Sequence, residues 1–141
     1  MFFDIGANIG FFSLLAARLI GPAGRVVAFE PVPESARSIR AGAIANGFEW
    51  IDVRQAAVGA RSGRAAFCVV DDASWSRLAC YGTHERTRSL AWVDVEAVDE
   101  LIRAGELPVP DVVKIDVDGC GYACENLDGA DAVERAGRTS T

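Results

Sequence analysis

Asp4, Gly6, Asn8, Gly10 and Glu30 are the first side chains in this sequence whose types and spacing suit chemistry. The run from 4 to 10, DIGANIG, lies between a short apolar stretch and a segment of helical period. Glu30 closes the next apolar stretch, RVVAFE. Glycines at a strand-to-helix turn let the backbone pass close to a ligand, and the new helix offers N–H groups with no partner of their own. An acid at the end of the neighbouring strand can hold ribose hydroxyls. Together these residues describe a nucleoside site.

Asp4 bears on which nucleoside. In a dinucleotide site the pyrophosphate lies at this turn, and a carboxylate beside it repels it, whereas the sulfonium and ammonium groups of S-adenosyl-L-methionine are attracted. The spacing agrees with the second case. Dinucleotide turns usually read G-x-G-x-x-G, and here Asn8 stands where the second glycine would be. Asparagine reaches left-handed backbone more readily than most residues, so the turn stays feasible. An NAD-dependent oxidoreductase remains the alternative.

A second group is KIDVDG at 114–119. Alternation along a strand puts Lys114, Asp116 and Asp118 on one side, with Asp116 at the carboxyl edge facing the same crevice as Asp4. Two roles stay open for Asp116: to orient an acceptor hydroxyl and take its proton, or only to shape the cofactor pocket. Lys114 would support the fold or balance charge. Cys120 and Cys124 are one helical turn apart, but without a second paired motif they read as buried thiols and no metal is expected.

The elements that position these groups follow an alternating pattern, α/β with a mainly parallel sheet. Phe2 and Phe3 end a first strand, and apolar residues recur at helical spacing from Phe11 to Ile20 until Gly21-Pro22 stops them. Residues 25–30 form a second strand. Pro33 and Glu34 open a helix that runs to Asn46-Gly47, a C-cap pair. Residues 51–58 form a third strand. Residues 64–70 and 89–95 read as an inserted hairpin, joined by a polar stretch, 71–88, that carries no clear periodicity. A short helix is expected over 98–104, then residues 111–117 as a strand fit for the middle of a parallel sheet. The domain is taken as 1–135, with a frayed tail at 136–141.

At 141 residues there is room for one domain. Acidic residues outnumber basic ones by 20 to 14, and the basic ones are scattered singly, which argues against nucleic acid as a partner. The apolar opening resembles a membrane segment, but its uncharged part, 5–17, falls short of the ~20 residues a bilayer needs. Asp4 also stands where a signal peptide would be basic. Four cysteines in no framework spacing fit a reducing, cytoplasmic setting.

FDIGANIGFF, VVAFEP, AAVG and VKIDVDG, in this order, resemble the FkbM-type methyltransferases, a branch of the class I enzymes that use S-adenosyl-L-methionine. The resemblance implies a Rossmann-like sheet in which Asp4, Gly6, Asn8 and Gly10 surround the methionine part of the cofactor and Glu30 holds the ribose. It places Ala57 near the adenine and implies methyl transfer to a hydroxyl of a small-molecule acceptor. The pattern departs at Gly121, where the family has a second Glu, so a catalytically deficient cofactor-binding remnant is a further alternative. Class I sheets carry seven strands, and this chain reads as ending soon after the fourth. A truncated enzyme is expected, or self-association through an uncovered sheet edge.

Overall fold

The computed structural model describes residues 1–70, 77–78 and 87–117. Asp118, the helix expected from Tyr122, the tail, Trp75, His84 and three of the four cysteines (80, 120 and 124) lie outside the described residues, as does most of the 71–88 stretch. Two four-stranded sheets make up the fold. The first is wholly parallel, with β1 (Phe2–Ile5), β2 (Val26–Phe29), β3 (Ile51–Arg54) and β8 (Val112–Ile115) in the order β3-β2-β1-β8. The second holds β4 (Ala57–Val58), β5 (Gly63–Val70), β6 (Arg77–Leu78) and β7 (Thr87–Glu96) in the order β4-β7-β5-β6. Strands β5 and β7 form the antiparallel hairpin that the sequence pattern predicts.

Alternation explains the layering. The odd residues Phe3, Ile5, Val27 and Phe29 pack with Leu107, Leu101 and Ile102, on the side of α3 (Val98–Arg103). The even residues face α1 (Phe11–Ile20) and α2 (Pro33–Asn46), where Ala28 meets Ile39 and Ala7. Apolar residues on both faces suit a strand covered on both sides, and β2 is buried throughout. Helix α2 starts at Pro33 and stops at Gly47, which adopts left-handed backbone, as the C-cap pair predicts. The Trp50 indole N–H donates to the Ala17 carbonyl at 2.9 Å, fixing the end of α1 to the entry of β3.

One expectation needs correction. The stretch 51–58 is not one strand. It divides after Arg54, because Arg54 and Ala57 answer to different ladders. The Arg54 carbonyl accepts the Glu30 N–H at 3.0 Å, whereas Ala57 pairs with Val95 in the second sheet. The Arg54 guanidinium, 2.9 Å from Glu96, ties the two sheets at this crossing. Strand β8, whose residues suit the middle of a parallel sheet, stands at its edge among the described residues, in line with the uncovered sheet edge expected from the strand count, and Val112, Val113 and Ile115 are exposed. The outer face of α1 likewise presents Phe11, Phe12, Leu15 and Leu19 to solvent. No helix among the described residues is long and apolar enough to cross a membrane.

Candidate functional site

The carboxyl ends of β1, β2 and β8 meet at the turn 6–10, where an open parallel sheet places its ligand crevice. The Gly6 and Ala7 N–H groups both donate to the Phe29 carbonyl at 3.1 Å, which bends the chain across the top of β2. Gly6, Asn8 and Gly10 all have positive φ, at 75°, 52° and 95°. Asn8 thus adopts the left-handed backbone that its side chain tolerates.

Gly6 is fixed by space as well as by φ. A Cβ there would lie 2.2 Å from the Asp116 carbonyl oxygen and 2.6 Å from Val117 Cγ1. At Gly47, with φ 67°, nothing lies within 4 Å. Gly47→Ala is therefore expected to cost only the left-handed penalty of about 1–2 kcal/mol. Gly6→Ala should cost clearly more, because the obstacle is the backbone just beyond β8. Equal urea midpoints for the two variants would contradict this.

Glu30 is held between two loops. One carboxylate oxygen accepts the Asn8 N–H and the other the Val32 N–H, each at 2.8 Å, and the residue is 6% exposed. A carboxylate has about four acceptor positions, so two remain after these bonds. Burial pushes the Glu30 carboxyl above its ordinary 4.5, while the Val32 and Asn8 N–H groups pull it down; Asp4 adds to the rise and Lys114 opposes it. A raised acid binds its proton more readily folded than unfolded. Its contribution to stability is fully present below 4.5 and is lost as pH rises through the higher folded value. In thermal melts across the acidic range, the parent chain should gain on Glu30→Gln as pH falls through that window. A difference between them that does not change with pH would refute the assignment.

Asp4 lies beneath the turn and is completely buried. Its Oδ2 accepts the Ser13 hydroxyl at 2.6 Å. Its Oδ1 accepts no aligned hydrogen bond but has the Lys114 ammonium 3.0 Å away. Where the sequence suggests a lone acid at the mouth of the turn, the structure has a buried ion pair one layer below it. Lys114 also donates to the Gly6 carbonyl at 3.0 Å, lies 3.7 Å from Asp116 Oδ2, and stands 5.3 Å from the centre of the Phe12 ring. Asp116 has 76% of its side chain exposed at the rim. The Asp116 N–H donates to the Ile5 carbonyl, continuing the β1–β8 ladder to the turn.

Asp4, Gly6, Asn8, Gly10, Glu30 and Asp116 are thus gathered on or beneath the one turn at the carboxyl ends of β1, β2 and β8. Ala57 stands further along, buried in a cluster with Val32, whose N–H holds Glu30. Ser13 went unnoticed in the sequence. The signal was a lone hydroxyl inside the apolar helix FFSLLAARLI, on the face turned towards Asp4. Among the described residues no three His, Cys, Asp or Glu side chains are grouped to hold an ion.

No curated protein and no solved structure matched the sequence. The family model described as the Methyltransferase FkbM domain matched residues 4–124, most of the chain and every residue of this crevice. The chain therefore belongs to the FkbM methyltransferase family.

Proposed function

We propose that this protein is an S-adenosyl-L-methionine-dependent methyltransferase that acts on a hydroxyl oxygen of a small-molecule or sugar-like acceptor in the cytoplasm. The observation that carries the reading is the Glu30 carboxylate, fixed by the Asn8 and Val32 N–H groups at the carboxyl end of β2 with acceptor positions to spare. Those positions suit the two hydroxyls of an adenosyl ribose. Ala57 offers a small apolar neighbour for the adenine. Helix α1 begins at Gly10 without a side-chain cap, and its first N–H groups suit the methionine carboxylate.

When bound, S-adenosyl-L-methionine supplies a methyl group on a positively charged sulfur. The work left to the chain is to orient the acceptor oxygen and to take up the proton that its methylation releases. Asp116 is placed for both, exposed at the rim with Lys114 behind it. Incubation with methyl-labelled S-adenosyl-L-methionine and a set of hydroxylated acceptors tests the reading. A labelled ether is expected. Asp116→Ala should abolish it while affinity for S-adenosylhomocysteine is retained; loss of both would give Asp116 a role in the cofactor pocket alone. Binding without transfer to any acceptor would mark a cofactor-binding remnant.

A further inference from the structure

Three carboxylates, Asp4, Glu30 and Asp116, and one ammonium, Lys114, converge on the turn. The lysine is not a rim charge reaching into water. It spans β8 and the turn, with Asp4 and the Gly6 carbonyl both at 3.0 Å, and its partner Asp4 is wholly buried. A charge pair out of water is weakly screened, so what Lys114 offsets is felt in the crevice above it. We propose that Lys114 is a specificity-determining residue of the cofactor site. By offsetting Asp4 it sets how strongly the crevice prefers a positively charged adenosyl compound over the neutral thioether that remains once the methyl group has left. The inference rests on the cofactor reading above and goes beyond it in assigning the charge balance to one residue.

The argument follows from the signs. With Lys114 present the four groups sum to two negative charges; without it, to three. S-adenosylmethionine and S-adenosylhomocysteine differ by one positive charge at sulfur, so the extra negative charge favours the first alone. A lysine that only braced the turn would, when removed, weaken both ligands by the same factor. Calorimetric affinities for the two compounds, taken as a ratio, separate these cases.

Lys114→Gln is expected to shift the ratio about tenfold towards S-adenosylmethionine, from one unit charge acting over several ångströms in a partly desolvated site. Asp4→Asn, which leaves Lys114 uncompensated, should shift it by a similar factor the other way. The double variant restores the original sum and should restore the ratio. Circular dichroism establishes which variants fold. If Lys114→Gln does not, Asp4→Asn and the double variant still carry the opposed shifts. A ratio that stays constant in the folded variants, whatever happens to the absolute affinities, overturns the inference and leaves the cofactor reading standing. Failure of the parent chain to bind either compound overturns both.

Discussion

Replacing Asp4 by alanine is expected to lower stability by about 3 kcal/mol, the lower end of the cost of breaking a buried ion pair from one side. The lower end applies because Lys114 keeps 22% of its side chain exposed, and water can recover part of what it loses. Two groups are stranded together. Lys114 loses its close anion, and the Ser13 hydroxyl, itself buried, loses its acceptor. For a chain of this length the loss corresponds to a fall in Tm on the order of 10 °C. Ser13→Ala, which takes a neutral donor from a buried carboxylate and leaves the Asp4–Lys114 pair in place, should cost about 1.5 kcal/mol. Matching melts for the two variants would mean that Lys114 contributes nothing to the buried carboxylate.

The second large effect is on binding. Glu30→Ala should weaken an adenosyl ligand about a hundredfold, since hydrogen bonds to a charged acceptor contribute roughly 1.5–3 kcal/mol and two are lost. The same change strands the Asn8 and Val32 N–H groups, which loosens the turn and the entry to α2. Glu30→Asp tests the two contributions separately. Its charge remains but its shorter reach cannot satisfy both loops, so an intermediate affinity is expected. Isothermal titration with S-adenosylhomocysteine measures all three chains. An alanine variant with parental affinity would remove Glu30 from the site.

Much of this arrangement is legible in the sequence because it is local. Gly6 and Gly10 flank a turn whose strand and helix are each declared by apolar spacing, and Pro33 and Gly47 bound α2 where capping chemistry predicts. The β5–β7 pair also follows from two apolar stretches of strand length on either side of a polar segment. The misjudged parts depend on non-local competition. Residues 51–58 carry no turn residue that marks a break, yet the Glu30 N–H and Val95 draw their two halves into separate sheets. The edge position of β8 is legible differently, from the count of strands rather than from its own apolar residues. At the site, the sequence identifies Asp4 and Lys114 but not their pairing. Residues 110 apart become register partners only once β1 and β8 lie side by side. The pairing changes the electrostatics, because a lone carboxylate attracts a cation, while a compensated one does so only by what its partner leaves over.

We propose that Glu30 holds an adenosyl ribose above β1, β2 and β8, and that the acids around the turn disfavour a pyrophosphate there. Parallel calorimetric titrations of the full chain with S-adenosylhomocysteine and with NAD test it most directly. Saturable heat is expected with the first, weakened about a hundredfold in Glu30→Ala, and none with the second. Saturable binding of NAD, or of neither compound, would contradict it.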